Sequence, residues 1–247
     1  MENSFFQENK NKHEYKIFKV LFFFKTYYLK LKSFFFTRLY LGFEFVVLFI
    51  FIPLLIFTSK KIIHPSIFLL PAVVFIIIYL YKNGYFKFKE LLKINISKSI
   101  VKTNIYIVII TSLLLTLIVY IFENNNFMNL PKRNFMIWII LCIFYPVFSA
   151  FMQEIVYRLF LFKRYKTLFK KDWILIIACA FVFSFVHIFY FNVISIILTF
   201  ILGLYLAYLY SKTSSILLTS IIHGFYGDLI FTIGLGQYFW LDMYKFL

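Results

Sequence analysis

The stretch FMIWIILCIFYPVFSAFMQEIVYRLFLF (135–162) decides how the chain must be read. Its first 18 residues, 135–152, carry no charge at all. That length is enough to cross a hydrocarbon layer of roughly 30 Å as a helix. A carboxylate, Glu154, and a guanidinium, Arg158, then follow inside the same apolar run. Residues four apart share a helix face and can pair. Pro146 lies within the run and is expected to kink or break it.

Similar runs occupy 41–58, 62–81, 104–122, 173–190, 193–211 and 214–235, so the expected fold is all-α, a multi-pass membrane protein with about seven transmembrane helices. Composition agrees. Of the 247 residues 63% are hydrophobic and 24% aromatic, more apolar surface than a water-soluble domain of this length can hide. The polar first sixteen residues offer no cleavable signal peptide. KVLFFFKTYYLKLKSFFF (19–36) is interrupted by Lys25, Lys30 and Lys32, which suits a helix lying at the interface. Cys142 and Cys179 fall in apolar spans and read as packing residues.

A formal charge of +16 suggests nucleic acid, but the cations fall between spans rather than on one face, and no nucleic-acid partner is expected. With the N-terminus cytoplasmic, 21 of the 26 Lys and Arg fall on the cytoplasmic side. That asymmetry is the positive-inside pattern. The expected organisation is a cationic cytoplasmic or interfacial segment (1–38), N-terminal membrane helices (39–134), and a C-terminal core (135–240) holding the active-site helices. ENNNFMNLPKRN (123–134) is the loop between the halves.

An ionisable side chain at the centre of a span costs at least about 2.5 kcal/mol on insertion scales, so each one calls for a reason. The candidates are Glu44, Glu154, Arg158, His187, His223 and Asp228, and all but the first lie in the C-terminal half. YKTLFKKDW (165–173) is a plausible turn whose centre is equidistant from Glu154 and His187, which puts those two at matching depth. His223 reaches similar depth from a third helix. A carboxylate can take a proton from water, and imidazoles can hold that water or an oxyanion. The same three residues could instead bind a divalent metal such as Zn with an open position, and spacing does not separate the two chemistries. The plainer alternatives are an interfacial ion pair with Arg158 snorkelling outward, and histidines that simply meet the interface or another helix. Gly203 and Ala207 read as a helix-packing pair, Gly234 and Gly236 as the end of the last helix, and Tyr238 and Trp240 as an interfacial belt.

QEIVYR (153–158), FSFVH (183–187) and HGFYGD (223–228) together resemble the three motifs of the CAAX-protease and bacteriocin-processing family of intramembrane endopeptidases. The resemblance covers roughly 135–235. It implies cleavage of a membrane-associated peptide or lipidated protein segment, prenylated or carrying a leader or sorting signal, in a membrane that for such relatives is the bacterial inner (plasma) membrane. It also implies that a glutamate activates water while the histidines and an Asn support the oxyanion. Two positions depart from the pattern. Gln153 stands where the family has its first Glu, usually held to be the base, so Glu154 is left to act as base with Arg158 orienting it. Gly227 stands where the family often has Asn, with Asp228 next to it as an accessory candidate. Both departures, with the TIGLG tail at 232–236, resemble a subgroup of the family. Besides the peptidase, the residues leave open a catalytically silent peptide-binding or immunity-type protein and a proton-coupled transporter.

Overall fold

The computed structural model describes residues 22–27, 33, 37–58, 66–92 and 96–240. Expectations for Lys60, Lys61, for residues 62–65 and for most of 19–36 lie outside these. The chain divides into two compact units, residues up to Val47 and residues from Leu48 onward. In the first, residues 22–27 are helical and Thr37 caps the following helix, its Oγ1 accepting from Tyr40 N at 3.3 Å.

Seven main helices carry the fold, and the described residues contain no strand. They are α1 (Arg38–Thr58), α2 (Ser66–Lys82), α3 (Lys98–Phe122), α4 (Phe135–Arg164), α5 (Asp172–Tyr190), α6 (Val193–Thr213) and α7 (Ile216–Ile233). Six are long and apolar enough to cross a membrane; α2, with 17 described residues, is slightly shorter. The expected spans and the observed helices coincide to within a few residues. The exception is the start of α3, which reaches back to Lys98 because long cationic side chains continue a helix while keeping their charge at its end.

A helix end inside or near lipid cannot leave its first amides to water, so each needs a local acceptor. Besides Thr37, the sequence supplies one at four further starts. Ser97 Oγ accepts from Ile100 N, Asn134 Oδ1 from Ile137 N, Asn192 Oδ1 from Ser195 N and Ser215 Oγ from Leu218 N, at 2.8–3.3 Å. Two-residue links at Phe191–Asn192 and Ser214–Ser215 fold α5, α6 and α7 into antiparallel neighbours. Gly203 is the contact point of α5 with α6: a Cβ there would lie 3.0 Å from the Ala180 Cα. Ala207, one turn on, is fully buried.

Pro146 does not break α4. The helix runs on to Arg164 through wider π turns at Pro146–Ala150 and Ile155–Phe160. Proline lacks the amide that would bond one turn back, and a π turn absorbs the mismatch without ending the helix. The second π turn follows directly after Glu154.

Gly234 ends α7 in the left-handed region at φ +109, and a Cβ there would collide with the Asn126 carbonyl. The chain then turns back as residues 235–239. Asn192 Nδ2 donates to Tyr238 O at 2.7 Å, and the Tyr238 hydroxyl donates to Glu123 Oε1 at 2.8 Å. That bond holds the Glu123 carboxyl below its usual range, helped by Asn126. Tyr238 is therefore a tether for the tail as well as an interfacial aromatic.

Candidate active site

The site is built where α4, α5 and α7 meet. Glu154 and Arg158 are completely buried and His223 is 2% exposed. Arg158 thus does not snorkel to the surface. Its Nε lies 3.3 Å from Glu154 Oε2, and its guanidinium carbon lies 4.8 Å from the centre of the Phe183 ring. Among the described residues Nη1 and Nη2 have no hydrogen-bond partner. A buried guanidinium without hydrogen bonds is expensive, and the adjacent carboxylate and the ring face are what offset the cost here.

The other carboxylate oxygen, Oε1, lies 2.9 Å from His223 Nδ1. A carboxylate can only accept, so Nδ1 donates and the second ring nitrogen, Nε2, is left as an acceptor. Nε2 points to the Tyr145 hydroxyl at 3.3 Å. A chain of contacts therefore runs Arg158, Glu154, His223, Tyr145 across two helices. His187 is oriented in the same way. Its Nδ1 donates to the Phe183 carbonyl at 2.7 Å, again leaving Nε2 as an acceptor. Phe183 is the hub: its ring meets His187 at 5.1 Å and His223 edge-on at 5.3 Å.

Beside these groups is a cavity of about 360 Å³. Its polar wall includes Tyr145, Ser149, Gln153, His187, Tyr190 and His223, while Leu115, Leu198, Leu202 and Ile230 are among its apolar lining. Gln153 faces this cavity and Glu154 does not. Adjacent helical residues point about 100° apart, which is the physical reason. The Gln153 amide donates to Ser149 Oγ at 2.7 Å. Asp228 is half-buried and is also absent from the cavity wall; among the described residues its Oδ1 has no hydrogen-bond partner. Thus the structure gathers Glu154, Arg158, Gln153, His187 and His223 around one place, with only Gln153 and the two histidines touching the open space.

Residues 134–227 match the family model Rce1-like, type II CAAX prenyl endopeptidase. No curated protein and no solved structure matches. The matched segment spans α4 to the middle of α7, the part that carries the buried charges, and it supports the resemblance read from the three motifs. The chain is an integral membrane protein whose residues 134–227 are similar to a family of endopeptidases.

Glu154 does not share an open point with the Nε2 atoms of His187 and His223: its Oε1 meets His223 Nδ1, its Oε2 lies beside Arg158, and it does not line the cavity. Among the described residues no group of three His, Cys, Asp or Glu side chains is arranged to hold a metal ion.

Sequence reasoning did not single out Tyr145 or Phe239. Phe239 comes from the tail and packs against His187 and Tyr190 at the cavity. Tyr145 had a readable signal: it adjoins Pro146 on a helix that faces the Gly224 and Gly227 pair. Nothing local marked Phe239, because only the return of the chain after Gly234 brings it in.

Proposed function

We propose that the protein is an intramembrane endopeptidase that cleaves a membrane-associated peptide, prenylated or bearing a leader or sorting signal. The observation that carries this reading is His223, one nitrogen of which is held by a buried carboxylate while the other faces the cavity. That arrangement suits general base catalysis. His223 Nε2 takes a proton from water, and Glu154, acting through Nδ1, holds the ring in the required tautomer and stabilises the imidazolium that forms. Arg158 keeps the carboxylate aimed at His223 from the far side. His187 Nε2 accepts a hydrogen bond from the same water and positions it. The Gln153 amide contributes polarity to the wall but cannot take a proton.

The test uses purified protein in phospholipid vesicles with a farnesylated peptide ending in a CAAX box. Glu154→Gln, His187→Ala and His223→Ala should each lower cleavage by about 10²–10⁴-fold while the protein still folds. Full activity in His223→Ala and Glu154→Gln together would end the reading.

One observation favours a second reading. The family places an acid where Gln153 meets the cavity, so a silent member would keep the cavity as a peptide-binding site without chemistry. Gln153→Glu separates the two: a silent protein gains cleavage, whereas a protein working through His223 does not depend on the change.

A further inference from the structure

The three residues on α4 that face the cavity are Tyr145, Ser149 and Gln153, each four apart. Opposite them α7 presents Gly224 and Gly227. A Cβ at Gly224 would come within 2.8 Å of the Pro146 side chain, and one at Gly227 would overlap the Tyr145 ring. The glycine pair therefore exists sterically to admit Tyr145 and Pro146. The ring fills the space into which a side chain at position 227 would project, and its hydroxyl ends 3.3 Å from His223 Nε2. Position 227 is one of the two where the sequence departs from the motifs it resembles. Asp228 does not repair that departure, since it is not part of the cavity wall.

We propose that Tyr145 supplies the oxyanion donor of this site from α4, replacing a side chain that α7 no longer provides. The inference rests on the endopeptidase reading. At rest the hydroxyl donates to His223 Nε2. When a peptide and water occupy the cavity, the water proton passes to Nε2 and the water oxygen bonds to the scissile carbonyl carbon. The carbonyl π pair moves onto its oxygen, and the Tyr145 O–H turns to hydrogen-bond that oxyanion. Collapse re-forms the carbonyl and expels the amine, which leaves with the proton held by Nε2. Tyr145 keeps its own proton throughout. The donor is preorganised because the ring is clamped by Gly227 on one side and by Phe231, 5.9 Å away, on another.

Tyr145→Phe tests this without emptying the space beside Gly227. On the farnesylated peptide in vesicles, kcat should fall about 100-fold with KM nearly unchanged. In ¹⁵N-histidine spectra of the detergent-solubilised protein, the His223 Nε2 resonance should move while that of His187 stays. Gly227→Asn alone should abolish folding, and Tyr145→Ala with Gly227→Asn should restore it. Wild-type protein that cleaves nothing removes both the endopeptidase reading and the donor role. An active wild type whose Tyr145→Phe variant is unimpaired removes the donor role alone. An unmoved His223 resonance overturns the contact itself.

Discussion

Helices α3 and α7 are both candidate membrane spans, yet they use their side chains in opposite ways. In α3 only 6% of the apolar window is buried within the protein, whereas in α7 the figure is 44%, although α3 is the more hydrophobic. Ile109, Leu113, Leu117 and Ile121 of α3 are all at least half exposed. The buried residues of α7 include Thr219, Ser220, His223, Gly224 and Gly227. In lipid the most apolar face gains nothing by turning inward, so small and polar residues make the helix–helix contacts and the large aliphatic ones face outward. The two histidines of the site sit on α5 and α7, helices of the buried kind, whereas α4 is only 6% buried over its apolar window, and the difference between the two kinds can be tested residue by residue.

The sharpest break is at the buried ion pair. Arg158→Ala leaves the Glu154 charge without its cation and should cost about 3–5 kcal/mol of stability, measured by denaturant titration in detergent. Replacing both partners, Glu154→Leu with Arg158→Met, should recover most of that loss while cleavage stays absent. Recovery of both would mean that the pair serves the fold and not the reaction. Next in size is Gly203→Ala, where the new methyl must push α5 from α6; about 1–3 kcal/mol is expected, read as a lowered thermal midpoint. Asn104 and Val119 are the buried exceptions on α3, and Asn104 is the polar one. It is buried and accepts from the Tyr205 hydroxyl, so Tyr205→Phe should cost about 0.6–1.7 kcal/mol. On the lipid face the effect should vanish: Leu113→Val is expected to stay within about 0.5 kcal/mol. The smallest effect concerns the tail. Tyr238→Phe removes the hydroxyl that lowers the Glu123 carboxyl, so its titration should return toward 4.5, followed by ¹³C NMR. The sign is that of a carboxylate favoured in the folded state: the tether holds above the ordinary range and is lost as pH falls through the depressed value.

Much of this was legible beforehand. Uninterrupted apolar runs located the helices because a span must satisfy its own backbone and has little freedom of length. The cost of charge in lipid marked Glu154, Arg158, His187 and His223 without any neighbour being known. What spacing could not supply was rotation. Whether Gln153 or Glu154 meets the cavity depends on the π turns on either side of the pair, and no residue count fixes the phase of a helix that changes its own pitch.

The sequence by itself determined that this chain is a set of membrane helices with all but one of its intramembrane ionisable candidates in the C-terminal half, because hydropathy and charge are properties of each segment alone. Only the tertiary structure decided that His223 stands between the acid and the cavity, and that Tyr145 fills the room left at Gly227. Those are contacts between α4 and α7, some seventy residues apart. They depend on which faces two helices turn to each other, and that is set by packing rather than by either segment.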